Sequence, residues 1–571
     1  MKREFSAGTI LFREEKNKRF YFLIEDSRGN WGFPKGNLEK EEGSLEAALR
    51  ETKEETGLKK IEIFPGFRKS INYFYNPGAY NQEKKKEKIF KTVVFFLART
   101  SEKKFKLSFE SKNGGWFSFQ DSLKKLRFAN YRKILQEAEE FLSSPCLKIF
   151  KNFSQIAKND LRFKSLLIAA EGLTSILPEN FLPKIIKRKD NFLFLKKEKI
   201  DLNKFKRIFL ISFGKASSRS ALILNKILKE KITKGFVLDP SSPVKKIDRL
   251  EFLKVYHPFP KKENILAGKK VLSLSQDIRE GDLVIFLISG GGSASLFLPK
   301  GVGLTELRDI LKNLYKKGAT IEEINIIRKH LSEVKGGNLA KKFFPATIFS
   351  LIISDVPGND LSIIASGPTV KDFSTLEEAK RIFQKYSLDK KYPQIKFSET
   401  PKEEKYFEKV KNILVLTNKT ALLAMKKKAE EIGFQAKIIS EKIEGEARKV
   451  AKEITKEIQK NQCLLFGGET TVKVKGKGKG GRNQELALAA LENLKRGEVL
   501  IALASDGIDN SQAAGAIVDW QTKKVAREIG LIAEEYLENN DSFHFFEKTG
   551  DLIFTGPTGT NVSDLILFLR K

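Results

Sequence analysis

Residues 36–58 read GNLEKEEGSLEAALRETKEETGL and gather three carboxylates where a helix would stack them. Glu51 and Glu54 are spaced i,i+3, and Glu51 and Glu55 i,i+4, so a helix over 43–56 puts all three on one face. Like charges stacked this way repel unless a cation joins them, and a hard divalent ion prefers carboxylate oxygens. Such an ion orients a pyrophosphate and lowers the pKa of an attacking water. Arg50 is placed to pair with Glu42 one loop earlier and hold the helix against the preceding turn, while Leu45, Ala48 and Leu49 are available to pack inward. A solvated charged face is what most Glu-rich stretches are. An ordinary solvent-facing helix would intersperse Lys on that face.

A second set of residues lies downstream, in glycine-bearing loops after apolar strands. Ser289-Gly290-Gly291-Gly292-Ser293 follows DLVIFLI, and three glycines let a backbone approach an anion. The loop reads Gly-x-Gly-x-x-Ser without a following acidic partner, so it is not a dinucleotide fingerprint, nor is it a Walker loop. Gly214-Lys215-Ala216 follows RIFLISF and sets a cation at a helix start, unfavourable unless an anion visits. Residues 326–337 place Arg328, Lys329 and Lys335 on one helical segment. Ser354-Asp355-Val356-Pro357-Gly358, Ser505-Asp506-Gly507 and Gly556-Pro557-Thr558-Gly559-Thr560-Asn561 end or open further elements, the last expected before a final helix. Residues 467–485 read as a hairpin with glycine turns, ending in Arg482 at a helix start.

The elements that must position these groups fall into three blocks. The first alternates short strands with the helix at 43–56. A Ser-Ser-Pro-Cys stretch at 143–146 then punctuates the chain. From 157 the pattern repeats strand, glycine loop and helix, including a helix over 323–341, and predicts a parallel sheet covered on both faces. A charged stretch over 398–409 precedes a third block of similar style. The expected domains are therefore 1–142, a linker at 143–156, 157–397 and 410–571.

Composition narrows the rest. The 571 residues exceed one core, and 41% hydrophobic content suffices for several. The net charge of +33 is spread as Lys interleaved with Glu, its densest run KKKEK at 84–88 in an expected hairpin loop. Such scatter favours solvated surface and weak attraction of small anions over nucleic-acid binding. Cys146 and Cys463 make no metal spacing or disulfide framework, which fits a reducing, cytoplasmic setting. Neither a signal peptide nor a membrane span is expected.

Residues 36–58 resemble the Nudix box at every defining position, and the resemblance extends over about 1–142 through SAGTILF and WGFPKG. It implies an α/β/α sandwich in which Glu51, Glu54 and Glu55 bind Mg²⁺ or Mn²⁺, with the Lys35 carbonyl a further ligand. WGFPKGNLE, INYFY, KTVVFFLA and Trp116 look like the diadenosine-tetraphosphate hydrolase branch. That likeness implies that Lys91 contacts phosphate and that Tyr73 or Phe96 stacks on a purine, although strand phenylalanines such as Phe95 and Phe96 are more often core. A mutagenic-nucleotide sanitiser is the alternative within this fold.

Residues 155–571 resemble glycerate 2-kinases whose C-terminal part is called the MOFRL domain. HPFP, ISGGGSAS, INIIRKHLSEVKGGNLA, SDVPGND, IASGPT, GGETTV, GGRNQE and FTGPTGTN carry the likeness in family order. It implies a two-domain α/β fold with mostly parallel sheets and transfer of the ATP γ-phosphoryl group to the 2-hydroxyl of D-glycerate, with Mg²⁺. Lys215 and Arg482 are the expected catalytic cations, facing each other across a cleft. Residues 289–293 are expected to cradle phosphates, and Asp355 and Asp506 to serve metal or hydroxyl activation. His257 and His330 are expected to orient loops. Tyr256, Thr417-Asn418-Lys419, Phe466 and Gln512 depart from the family pattern, and the last weakens a metal role for its loop. The chain reads as bifunctional, with small-molecule substrates, no membrane or specific nucleic-acid partner, and room for a homodimer. The alternatives are a hydroxypyruvate reductase-like oxidoreductase, which lacks a nicotinamide fingerprint, and a kinase regulated by a non-catalytic nucleotide-sensing Nudix module.

Overall fold

The computed structural model describes residues 3–16, 18–75, 89–240 and 249–571. The KKKEK run at 84–88 lies outside them. The chain forms two compact units, Met1–Lys148 with Asn152–Phe163, and Ile149–Lys151 with Lys164–Lys571. The stretch after Leu142 is not extended: Pro145–Ile149 and Phe153–Ile156 are short helices, and Cys146, Phe153 and Ile156 are buried.

The first unit is built on a mixed sheet. Its long strand Arg3–Glu15 runs parallel to Ile89–Arg99 and antiparallel to Lys18–Glu25, with Glu62–Tyr75 on the outer side of Ile89–Arg99. Successive strand side chains point to opposite faces. Phe96 accordingly packs with Ala7, Ala47 and Ala48 under the helix Ser44–Thr56, while Phe95 meets Tyr131 of the helix Ala129–Leu142 and Phe33. Helices thus cover both faces, giving the expected sandwich. Phe95 and Phe96 are both core, so Phe96 offers no face for a purine.

In the second unit a six-stranded sheet is wholly parallel, in the order Leu250–Lys254, Ile232–Asp239, Arg207–Phe213, Asp282–Ile288, Thr347–Ile353, Val410–Leu416. Continuous apolar runs make these strands, since both faces are buried. The chain reverses its direction of growth between Arg207–Phe213 and Asp282–Ile288, and at such switch points the strand ends leave a crevice for ligand. Val410–Leu416 completes this sheet, so the passage to the next lobe comes after it and not within 398–409.

The second six-stranded sheet of this unit is mixed. Gln435–Ile443 and Gln462–Gly468 are parallel, then Asp564–Arg570, Glu498–Ala504, Gly515–Asp519 and Leu552–Ile553 follow antiparallel. The expected final helix is therefore a strand: DLILFL is apolar on both faces and inserts at the sheet centre. The expected helix over 323–341 is two, Ile321–His330 and Asn338–Lys342, separated by a non-helical stretch that starts at Leu331 and ends on Gly336 and Gly337 with φ of 57° and 80°. Nor is 467–485 a hairpin. Beyond Gly468 its backbone is fastened instead to Asn539, Asn540 and Asp541, with Lys475 and Gly476 amides donating to Asn540 Oδ1 at 2.7 and 3.0 Å.

Candidate active sites

In the first unit, the helix Ser44–Thr56 begins after Gly43, whose amide donates to Glu46 Oε2, and stops at Gly57 in the left-handed region. Ala47 and Ala48 face the sheet, whereas Leu45 is exposed, contrary to its expected inward packing. A Thr9–Thr52 hydroxyl contact of 2.8 Å and Thr52 Oγ1 donating to the Ala48 carbonyl fix the helix against the long strand. Glu51 and Glu55 therefore point toward the turn at 35–37, while Glu54, more exposed, meets Arg50.

Gly36 is needed there, because a Cβ would fall 1.9–2.1 Å from the Glu51 carboxylate atoms. The Lys35 amide donates to Glu55 Oε2 at 2.7 Å. Arg50 donates to both oxygens of Glu42 at 2.9 Å, as expected, and also to Glu51 at 2.9 Å and Glu54 at 3.1 Å. Burial pushes the Glu55 carboxyl up to about 7, against the pull of the Lys35 amide, and burial likewise raises Glu51. Lys91 lies within reach of Asn37 Oδ1 at 3.2 Å and Glu4 at 3.9 Å; burial, helped by Lys35, lowers its pKa.

No three acidic, histidine or cysteine side chains converge as a metal cage among the described residues. The three glutamates share a face without converging, because Arg50 draws Glu51 and Glu54 and the Lys35 amide takes Glu55. Their chemistry nevertheless suits a hard divalent ion: all donors are carboxylate oxygens, and the half-buried Glu55 is paired with no cation among the described residues.

The second unit brings two sheet ends together. Gly214 (φ 106°) leaves room for Ser289, and the Lys215 amide donates to the Gly290 carbonyl at 2.9 Å. From the mixed sheet, the register sets Asp564 opposite both Gly468 and Ala504, so Glu469, Asp506 and Asp564 share one end. Lys215 Nζ reaches Asp506 Oδ2 at 2.5 Å. Asn561 Nδ2 donates to Asp355 Oδ2 at 3.0 Å, and Ser563 Oγ to the Asp355 carbonyl at 2.5 Å. Asp355 also lies over Gly290, where a Cβ would come 2.2 Å from its Oδ2.

Arg482 is held in two directions, by Asp564 through Nε and Nη2 at 2.6 and 3.0 Å, and by Glu469 at 2.8 Å. Burial opposes its charge, but Asp564 and Glu469 outweigh that and keep its pKa above the usual value. The helix beneath it is anchored by Asp509, which accepts the Asn483 and Gln484 amides at 3.2 and 2.9 Å. Burial raises Asp509 to about 6 and Asp355 by direction, the latter partly offset by Lys215. Burial also carries Glu469 to about 7, against Arg482; its side chain keeps 41% of its surface open, so solvent tempers the rise.

Most of the expected residues therefore assemble. Ser289 is the exception: its hydroxyl is buried between the Ala216 amide and the Phe213 carbonyl, holding the Lys215 loop. Lys329, read beside Arg328 and Lys335, turns away to Asp372 at 3.1 Å. His330 is buried against Ser398 and Ser374. His257 lies against Gly291, and burial with the nearby Lys215 lowers its pKa to about 4, so it is neutral near pH 7. Glu469, Asp509 and Asp564 were not singled out from the sequence. The available signal was an acid just past a strand end in GGET; Asp509, within a loop, and Asp564, at the start of a strand, carried none.

Family models match a NUDIX domain over residues 2–138, a domain of unknown function (DUF4147) over 165–398 and the MOFRL family over 462–564. A D-glycerate 2-kinase of Thermotoga maritima is 42% identical over 381 residues, covering 64% of this chain and 90% of that protein. A putative hydroxypyruvate reductase of Agrobacterium vitis is 36% identical, covering 63% and 86%. The crystal structure of the Thermotoga maritima glycerate kinase superposes with a TM-score of 0.62 at 36% identity, covering 72% of this chain and 99% of that one. The chain belongs to the glycerate 2-kinase family and carries a Nudix hydrolase domain at its N-terminal end. No helix among the described residues is long and apolar enough to cross a membrane, and both cysteines are free and buried.

Proposed function

We propose that the chain is a bifunctional enzyme that phosphorylates D-glycerate at its 2-hydroxyl with ATP and hydrolyses a nucleoside polyphosphate, a dinucleoside tetraphosphate in particular. We assign the hydrolase to 1–142 and the kinase to two lobes that part after Leu416, the first beginning at 157 and closed by the strand Val410–Leu416, the second ending at 571. The observation that carries the kinase reading is the junction of Lys215 with Asp506 beside Asp355 and Arg482, which joins the ends of both sheets.

Phosphoryl transfer requires positioning and charge neutralisation more than covalent help. Arg482, fixed by Asp564, binds the glycerate carboxylate. Lys215 neutralises charge on the transferred phosphoryl group. The 2-hydroxyl oxygen forms the new P–O bond as the bond from the γ-phosphorus to the β–γ bridging oxygen breaks. ADP leaves, and the hydroxyl proton passes to Asp355, which burial makes more basic than an ordinary aspartate. Mg²⁺ accompanies the nucleotide. In the hydrolase unit Glu51, Glu54 and Glu55 would hold a divalent ion, which when bound would supply an acidified water and screen the polyphosphate. Lys91 contacts a phosphate of the substrate.

The kinase test is product identification. ATP, Mg²⁺ and D-glycerate are expected to yield 2-phosphoglycerate and ADP, with Asp355→Asn slowed roughly a hundredfold or more. Formation of 3-phosphoglycerate, or no ADP, contradicts the assignment. Consumption of a nicotinamide cofactor with hydroxypyruvate supports the oxidoreductase reading suggested by the Agrobacterium vitis relative's name.

A further inference from the structure

Beside the kinase site lies a cavity of about 750 Å³ whose walls combine two unlike surfaces. One is apolar: Pro258, Phe259, Phe297, Leu307, Leu311 and Leu331. The other is cationic: Arg308, Lys312, Lys316, Arg328 and Lys335, with no acidic side chain in the lining. Arg308, Lys312 and Lys316 are spaced i,i+4,i+8 on the helix Leu304–Lys316, a stacking of like charge that costs free energy unless an anion joins it. None of the five cations makes an ion pair among the described residues. Arg328 Nη2 meets only the Tyr315 hydroxyl, at 3.2 Å.

Lys335 is 4% exposed, and its Nζ donates to backbone carbonyls of Ser293 at 2.6 Å and Leu296 at 3.3 Å, with no carboxylate to balance it. A buried ammonium without a counter-ion is expensive to keep charged. At the inner end the cavity reaches His257, Gly291 and Ser293, and a Cβ on Gly291 would fall 2.9 Å from His257 and 3.3 Å from Lys215. At the rim Phe259 is 72% exposed, an aromatic ring left without cover.

We infer that this cavity is the nucleotide site: the base of a nucleoside triphosphate stacks on Phe259 against the proline and leucine wall, and its phosphates run past Arg328, Lys312 and Lys335 toward Lys215. The volume lies within the range of small-molecule sites, and only a ligand both flat-apolar and polyanionic satisfies the two walls together. The inference rests on the ATP-dependent kinase reading above.

Binding of the non-hydrolysable analogue AMP-PNP, of inorganic triphosphate and of D-glycerate to the full chain, measured by calorimetry, tests it. To keep the N-terminal site silent, all variants are made on a Glu54→Gln/Glu55→Gln background. Lys312→Gln is expected to weaken AMP-PNP and triphosphate by roughly tenfold, Phe259→Ala to weaken AMP-PNP alone by a similar factor, and neither to change D-glycerate binding. Both residues are exposed, so the fold is not at stake. Unchanged AMP-PNP affinity in both variants places the nucleotide elsewhere and overturns the inference while leaving the kinase reading intact. Loss of D-glycerate binding instead makes the cavity the acid's site and overturns it as well. Absence of AMP-PNP binding to the background protein itself refutes the kinase reading, and this one with it.

Discussion

At the scale of single residues, close approaches and uncompensated charge explain most of what the sites require. Gly36 is the clearest case, since any Cβ there displaces the Glu51 carboxylate. Gly36→Ala is therefore expected to lower dinucleoside polyphosphate hydrolysis by roughly a hundredfold while leaving glycerate phosphorylation unchanged. Equal hydrolysis rates for variant and parent would remove Glu51 from the site. Lys335 supplies a pH signature. Burial, with Arg328 adding to it, holds its pKa at about 7 instead of 10.5. Between those values the unfolded chain binds more protons than the folded one, so Lys335 makes the fold gain stability as pH rises from 7 toward 10.5. The contribution is at most about 1.4 kcal/mol per pH unit. Urea denaturation at pH 7 and pH 9 should show a smaller gain for Lys335→Met than for the parent; an equal gain would mean that Lys335 is solvated. The carboxylate face was legible in the sequence because i,i+3 and i,i+4 spacing fixes it. That Arg50 would bind Glu51 and Glu54 as well as Glu42 was not, since the choice depends on side-chain geometry that spacing leaves open.

Among elements, the apolar strands and the helix Ser44–Thr56 follow directly from residue pattern. Three misreadings share a cause, namely that long-range partners decide. The run DLILFLR suits either a buried helix or a buried strand, and only its place between Gln462–Gly468 and Glu498–Ala504 settles it. The helical pattern stops at His330, Ser332 bridges to Pro299, and Gly337 caps the start of the next helix. Glycine and lysine alternating over 473–481 suggest a hairpin locally, yet the loop is tied to another segment by Asn540. That side chain is 6% exposed, accepts two amides of the loop, and donates to Glu485 at 3.0 Å. Asn540→Ala is expected to cost about 2 kcal/mol and to make the lysines of 473–479 early sites of tryptic cleavage. Unaltered stability with an uncut loop would show that the backbone contacts alone hold it.

For the whole molecule, the two proposed chemistries call on different groups: carboxylates and Arg50 in one unit, Lys215, Arg482 and Asp355 in the other. Motif order made the fusion legible from the sequence, whereas the acids Glu469 and Asp564 that fix Arg482 became visible only when strand register brought three strand ends of the mixed sheet together. The central claim is that one chain holds two independent active sites. Its most direct test is a paired assay of the full chain, with D-glycerate 2-phosphorylation and diadenosine tetraphosphate cleavage read on the same preparations. Glu54→Gln/Glu55→Gln should abolish cleavage and keep phosphorylation, and Lys215→Met should do the reverse. Cleavage surviving the double glutamate change, or either variant losing both activities while still folded, would contradict the account.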